Sequence, residues 1–441
     1  MLTDSRSLCF PEETLFFALK SDRNDGQHYI PELYRRGVRN FVVESVPDNF
    51  STLYTHANFL KVGNTLAALQ QLTTCHRKAF DIPIVGITGS NGKTMVKEWL
   101  SQLLAYDKNV TRSPKSYNSQ IGVPLSVWLL NESSQIGLIE AGISKVGEMQ
   151  ALHDIIQPTV GVLTSLGAAH QENFSSLEEK CNEKLLLFKG TQALVYQLDD
   201  EIAAKCISAA HYDGKQLAWS EHDTTAAFFV DRIEKSDTAS TVSYIWQHAT
   251  HGNFTLPFID EASVSNCITC AVVALHFGIL PDVLAQRMAT LEPVAMRLEV
   301  KEGQHGCTLI NDSYNSDINS LDIALDFMNR RPDQKRRERT LILSDIYQSG
   351  ETEQQLYADV AALVKKRGVK KFIGIGTALG RQQQAFEDLE TKFFFDNIAD
   401  FIGSKVFKSL HDEVILLKGA RSFGFDKLTE LLVKKVHETV L

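Results

Sequence analysis

Lys93 and Thr94 close the stretch VGITGSNGKTMVKEWL, residues 85–100, whose residue types suit the binding of a triphosphate. The common phosphate-loop pattern requires a glycine six residues before the lysine, and Ile87 stands there instead, with Gly86 one place earlier and Gly89 inside the loop. The flanking pattern nevertheless has the elements of a cradle. Ile82–Ile87 is a short, mostly β-branched run of the kind found in buried parallel strands. Residues 88–92 then supply two glycines, a serine and an asparagine, which tolerate the tight backbone that aims successive N–H groups inward. Beyond Thr94, the residues Met95, Val96, Trp99, Leu100, Leu103 and Leu104 recur at helical spacing. A helix N-terminus after such a loop attracts anions through its free N–H groups and its dipole. Gly89, Ser90, Asn91, Gly92 and Lys93 are therefore expected to hold ATP phosphates, with the Thr94 hydroxyl on Mg²⁺. A plain βα turn is the bland alternative, and the strand–loop–helix context speaks against it.

The elements that must position these residues extend outward from the loop. IPIVGI, IGLIEAGI and TVGVLTSL alternate with helical stretches from Asp81 onward, which predicts a parallel, doubly wound sheet. In such sheets ligands gather beyond the carboxyl ends of the strands, where Glu140 and His170 fall. Each alone is weak evidence, but beside a phosphate loop both become candidate metal ligands with Thr94. The first ~80 residues read as a small α/β domain. After about Pro293 the βα pattern restarts with TLILSDI, KKFIGIG, KFFFDN and EVILLKGA. The expected segments are 1–80, a central ATP-binding domain over 81–295, and a second, Rossmann-like sheet domain over 296–441.

At 44% hydrophobic and 22% charged residues, the composition is that of an ordinary globular chain. A net charge of −9 argues against broad nucleic-acid binding, so an anionic ligand must be met by local cations. No apolar run reaches membrane-span length, and MLTDSRS lacks a signal peptide's apolar region. The seven scattered cysteines suit a reducing cytoplasm better than a disulfide frame. The basic run RRPDQKRRER reads as a solvated loop, and Cys267 and Cys270, in a helical stretch, as small packing residues.

The extra loop residue has an explanation in a family resemblance. GITGSNGKT resembles the Mur ligase phosphate loop, G-x-T-G-T/S-N-G-K-T. SYNSQIGVPLSVW, INDSYNSDINSLDIAL and LLKGARSFGFDKL resemble further segments of that family, in its order along the chain. TDSRSLCFPEETLFFAL with NDGQHYIPELYRRG is similar to the uridine-binding N-terminal domain of the branch that joins D-Ala-D-Ala to UDP-N-acetylmuramoyl-tripeptide. The resemblance covers nearly the whole chain and implies a three-domain architecture.

Carried over by position, it implies that Thr3, Asp4, Ser5 and Arg6 hold the uridine end, with Asp25 and Gly26 nearby. Tyr117, Asn118 and Ser119 would face the sugar-nucleotide phosphates and a second metal, and Glu140 and His170 would be metal ligands. Asn266 would approach adenine, Arg297 the ATP phosphates, and Asp312, Tyr314 and Asn315 the ribose and the domain junction. Lys418 and Arg421 would meet the dipeptide. Lys184 falls where many members carry a carbamylated lysine that serves as a metal ligand, although from the residues alone it reads as a solvated lysine on a charged helix. The sequence departs from the family at Leu186, where a glutamate is usual, and at Ser265, where a histidine is usual. Relatives carry a strand–helix segment ahead of the uridine motif, which places Met1 late. Some members are fused to a C-terminal alanine racemase, so the chain is also readable as the ligase half of a fusion.

The implied reaction is ATP-dependent amide formation through an acyl phosphate, in the cytoplasm. Rivals are another amino-acid ligase of the family, folylpolyglutamate synthase, a non-catalytic nucleotide-binding scaffold, and a kinase or transport ATPase. The D-N-P-R motif of the ligase that adds the third residue is absent, and the uridine-type start disfavours folylpolyglutamate synthase. Intact Lys93, Thr94, Glu140 and His170 disfavour the scaffold, and the lengthened loop disfavours an ordinary kinase. The third residue of the accepted tripeptide is not legible.

Overall fold

β-Branched and aromatic runs form three parallel-rich sheets in this chain, each with helices against its faces. The computed structural model describes residues 1–434 except 22–23, 168–172, 315, 332, 334, 347–351 and 421–422. His170, Asn315 and Arg421 thus lie outside the described residues.

The first sheet is three-stranded and parallel: Leu15–Phe17, Asn40–Val43 and Asn58–Lys61. The helix that follows, α1 (Thr65–Arg77), is capped by Asn64 and packs against helices of the next domain. Arg77 donates to the carbonyls of Ile156 (2.9 Å) and Gln157 (3.1 Å), at the C-terminal end of one of those helices, and fastens the two domains together.

The central sheet has nine strands. Its parallel part runs Val110–Arg112, Ile136–Glu140, Ile84–Thr88, Val160–Leu163, Ala193–Gln197, Lys215–Ser220. Ile84–Thr88 therefore lies between two strands that follow it in sequence, a crossover that opens a crevice at the carboxyl ends. The sheet then continues as a meander, Phe228–Lys235, Ser240–Trp246 and Thr250–Leu256, whose last two pairings are antiparallel. The βα pattern gave no warning of this extension. Its middle strand alternates buried and half-buried residues because only one face meets the core, through Phe228, Tyr244 and Trp246.

Among the helices that pack on this sheet are α2 (Lys93–Leu104), whose Val96, Trp99, Leu100, Leu103 and Leu104 are fully or almost fully buried, and, further along the chain, Glu261–His276. Cys267 and Cys270 lie wholly inside the latter, and burial pushes both thiols up, away from thiolate chemistry. Between these two in sequence, Leu177–Leu185 forms α3, capped by Ser176. The third sheet has six strands and only its first pair is antiparallel: Glu299–Glu302, Thr308–Asp312, Glu413–Lys418, Glu338–Ser344, Lys371–Ile375 and Thr391–Phe395. The basic run is less solvated than its composition predicts. Arg330 bridges Asp326 and Glu261, Arg337 pairs with Asp333, and Arg339 donates to Asn329.

Candidate active site

The phosphate loop begins where the wholly buried strand Ile84–Thr88 ends. Gly89 (φ 150°) and Gly92 (φ 83°) adopt backbone conformations that disfavour side chains. A Cβ at Gly89 would collide with Thr164 and one at Gly92 with Asn266. The neighbouring strand end braces the loop: Ser90 N donates to the Ser165 carbonyl (2.8 Å) and the Thr164 hydroxyl to the Asn91 carbonyl (2.6 Å).

Lys93 opens α2 and folds back over the loop, donating to the carbonyls of Gly89 (2.8 Å) and Ser90 (2.9 Å). Lys184, reaching across from α3, donates to the same Gly89 carbonyl at 3.1 Å. It is only 2% exposed, so the solvated reading fails. Burial depresses its pKa well below that of an ordinary lysine, and the nearby charges of Lys93 and Lys180 add to the effect. Lys180, one turn earlier on α3 and equally buried, donates to the Gly167 carbonyl (2.6 Å). Lys93 is also shifted down, chiefly by desolvation and partly by Arg297, against the attraction of Glu140 and Asp317. Among the described residues, Lys93 and Lys184 are met by carbonyl oxygens rather than carboxylates. Clustered buried ammonium groups so arranged favour an anion.

Opposite them is a cluster of oxygens. Glu140, 1% exposed, accepts from the Thr94 hydroxyl (3.2 and 3.1 Å) and from Asn118 Nδ2 (2.6 Å). Thr94 Oγ1 also lies 2.9 Å from Ser116 Oγ. A carboxylate with hydroxyl and amide groups is a hard-oxygen set suited to Mg²⁺. Behind it, Lys97 Nζ sits 3.6 Å from Glu140 Oε2 with no exposed surface.

A cavity of about 500 Å³ joins these parts; it is lined by the phosphate loop, Asn118, Ser119, Glu140, Lys184, and Arg297 and Tyr314 from the approach to the third domain. Arg297 stacks over the Tyr314 ring at 4.4 Å. A second cavity, of about 280 Å³, adjoins it at Asn91, Gly92 and Met95, with Asn266, Trp219, Arg297 and Asp312 in its walls.

Other positions named from the sequence lie apart. Tyr117 is exposed and lines neither cavity. Asp4 caps the turn Ser5–Ser7 and pairs with the exposed Arg6 at 2.6 Å, while Asp25 caps the turn that begins at Gly26. The two turns share the first domain, and Arg6 feels the Tyr29 phenol. Lys418 is fully buried and donates to Asp312 at 2.7 Å, so its ammonium is already engaged. Lys97, Ser116 and Lys180 went unnoticed in the sequence. The usable signal for the lysines was spacing: Lys97 stands four residues after Lys93, amid the apolar stripe of α2, and Lys180 four before Lys184.

Comparison with known proteins agrees with this geometry. Residues 87–274 match the Mur ligase middle domain. The UDP-N-acetylmuramoyl-tripeptide–D-alanyl-D-alanine ligase of Bacillus subtilis is 27% identical over 381 residues, which covers 85% of this chain and 79% of that protein. The ligase of the same name from Escherichia coli is 24% identical over 444 residues, 98% of this chain and 92% of that protein. Among solved structures, MurF from Acinetobacter baumannii superposes with a TM-score of 0.81 at 21% identity, over 98% of this chain and 92% of that one. MurF ligase from Thermotoga maritima in complex with ADP gives 0.79 at 20% identity, over 98% and 96%. With the lengthened glycine loop, the buried Glu140 and these matches in view, residues 87–274 carry a Mur ligase middle domain, and nearly the whole chain is similar to UDP-N-acetylmuramoyl-tripeptide–D-alanyl-D-alanine ligases.

Proposed function

We propose that this protein is an ATP-dependent ligase that joins D-Ala-D-Ala to UDP-N-acetylmuramoyl-tripeptide in peptidoglycan precursor synthesis. The observation that carries the reading is that buried lysines and an oxygen cluster line one cavity. Lys93 and Lys184 lie against the loop carbonyls, Glu140 accepts from Thr94 and Asn118, and Arg297 joins them in the cavity wall. The relatives named for this reaction and the ADP complex of the Thermotoga maritima protein support the nucleotide and substrate assignments.

In this reading the triphosphate lies along Gly89–Lys93 and the nucleoside enters the second cavity beside Asn266 and Asp312. An oxygen of the tripeptide's terminal carboxylate attacks the γ-phosphorus, the bond to the β-phosphate bridging oxygen breaks, and acyl phosphate and ADP form. The amine of D-Ala-D-Ala then adds to the acyl carbon. The tetrahedral intermediate loses phosphate and a proton to leave the amide. Both first-step reactants are anions, so Lys93, Arg297 and the α2 N-terminus lower their repulsion. Closure of the third domain would align the reactants, worth several kcal/mol in favourable cases.

Mg²⁺ would be held by Thr94 and Glu140, with His170 as a further ligand, and would supply charge neutralisation at the phosphates. The donor set fits it. Lys184 is suited to carbamylation because burial disfavours its ammonium form: the neutral amine adds CO₂ and releases a proton, giving an oxygen ligand beside the phosphate loop. Asp4, Ser5, Arg6, Asp25 and Gly26 would bind the uridine end, Tyr117, Asn118 and Ser119 the sugar-nucleotide phosphates, and Arg421 the dipeptide. No helix among the described residues is long and apolar enough to cross a membrane, and a cytoplasmic location belongs to this reading.

The test is incubation with ATP, Mg²⁺, D-Ala-D-Ala and, separately, UDP-tripeptides ending in meso-diaminopimelate or lysine. The expected product is UDP-pentapeptide by mass with matching phosphate release, and the preferred tripeptide fixes the third residue. Background phosphate release with every pair would favour a scaffold.

A further inference from the structure

Lys97 is a fully enclosed lysine that the mechanism above does not use. It does not line the cavity, so it acts on ligands only through its neighbours. Three groups meet its ammonium: Glu140 Oε2 at 3.6 Å, Glu98 Oε1 at 3.1 Å, and the carbonyl of Lys115, to which it donates. Each contact has a consequence for the site. Lys115 has φ 49°, a left-handed conformation disfavoured for any residue with a Cβ, and it sits in the turn that delivers Ser116 to Thr94 and Asn118 to Glu140. A hydrogen bond from a buried charge holds that turn in place. Glu140 receives a fixed positive charge on the side away from the cavity, where water cannot screen it.

The charge balance of the oxygen cluster follows. Glu140 alone would be a good ligand for a free divalent cation, but Lys97 already offsets its charge. A triphosphate brings new negative charge to the cavity side and restores the attraction for a cation. We propose that Lys97 is a positioning residue that assembles the oxygen cluster before ligands arrive and makes its uptake of a divalent cation depend on bound nucleotide. The inference rests on the ligase reading for the identity of the metal site, yet its deciding readout, Mn²⁺ binding, requires no ligation.

Free Mn²⁺ is measured by electron paramagnetic resonance while the full-length protein, Lys97→Met and Lys97→Gln are titrated, each with and without ADP. The parent should bind nucleotide-free Mn²⁺ weakly. Both variants should bind it roughly tenfold or more tightly, since a unit charge so close to Oε2 is removed. The enhancement by ADP should shrink by the same factor. Lys97→Gln keeps a donor for the Lys115 carbonyl, so it should retain a near-parental KM for the UDP-tripeptide where Lys97→Met raises it. Glu98→Gln, which leaves Lys97 with Glu140 as its only carboxylate, should shift Mn²⁺ binding the opposite way and keeps the test open if the lysine variants fail to fold. A merely structural lysine would lower thermal stability without tightening nucleotide-free Mn²⁺ binding. Unchanged or weaker binding in a folded Lys97 variant, or tighter binding in Glu98→Gln, overturns the proposal. A parent without ligase activity that shows the expected Mn²⁺ pattern would sink the ligase reading alone.

Discussion

Replacing Lys418 by methionine should destabilise the third sheet domain by about 3–5 kcal/mol, the usual cost of leaving one partner of a buried ion pair alone. Lys418 and Asp312 are register partners on adjacent parallel strands, their ammonium and carboxylate are 2.7 Å apart, and their side chains are 0% and 9% exposed. At that distance Coulomb attraction is about 6 kcal/mol for an effective dielectric of about 20. Most of it offsets the desolvation of two ions, so the intact pair contributes little net stability. Truncation removes the attraction and leaves the Asp312 carboxylate largely buried without its partner. Asp312→Asn with Lys418→Met should therefore recover most of the loss, because no charge is left unpaired. Tryptophan fluorescence is a poor probe, since Trp99, Trp128, Trp219 and Trp246 all precede this domain. Hydrogen exchange of peptides from residues 299–432 is the better assay, with protection expected to fall by roughly two to four orders of magnitude in Lys418→Met. Because Asp312 also walls the second cavity, the KM for ATP should rise more than that for D-Ala-D-Ala. A stability loss below about 1 kcal/mol, or a double variant no more stable than the single one, would refute the argument from an unpaired buried charge.

Other expectations are simpler. Lys93→Ala should reduce product formation to background, read as UDP-pentapeptide by mass; normal turnover would remove the loop lysine from the chemistry. Lys184→Ala should lose roughly a hundredfold in activity or more, and short carboxylic acids should partly restore it by supplying the missing oxygen ligand; full activity would rule out a ligand role. Asp260 accepts from Ser263 N at 2.8 Å, but its Oδ2 has no partner among the described residues and burial raises its pKa. For a raised carboxyl pKa, stability is fully present below the unfolded value and lost as pH rises through the folded one. Asp260→Asn, uncharged throughout, should thus be more stable than the parent at neutral pH by about 1 kcal/mol, an advantage that thermal unfolding should show vanishing below about pH 4.

How much of this was legible depends on how locally each feature is encoded. The phosphate loop was readable because a single window of sequence carries its strand, its glycines and the apolar stripe of α2. Glu140 was readable because strand ends in parallel sheets are where ligands gather. The three-stranded extension after Lys215–Ser220 was not, since its alternating residues have meaning only once the parallel core supplies a face to cover. Lys97 and Lys180 were missed for a related reason. A lysine on a helix is solvated by default, and its burial is decided by elements far off in the chain: residues 113–118 for Lys97, Gly167 for Lys180.

Those two misses, with Lys184, share a physical origin that bears on mechanism. Each lysine stands on a helix whose exposed face would serve it better, and each is instead turned into a site where three segments meet. Such burial is unfavourable for an isolated ammonium and persists only when fixed acceptors or an arriving anion compensate it. Lys97 has its acceptors in Glu98, Glu140 and the Lys115 carbonyl, all within the protein. Lys93 meets only loop carbonyls among the described residues, which leaves its charge available to the phosphates, and Lys184, on the same Gly89 carbonyl, has its ammonium form disfavoured by burial. The difference predicts unequal responses to nucleotide. Bound ADP should raise the ammonium pKa of Lys93 measurably, by amine-selective labelling against pH, and leave Lys97 unreactive in both states. Equal protection of the two by ADP would mean that the buried cations of this site are not divided between structure and ligand in the way their partners indicate.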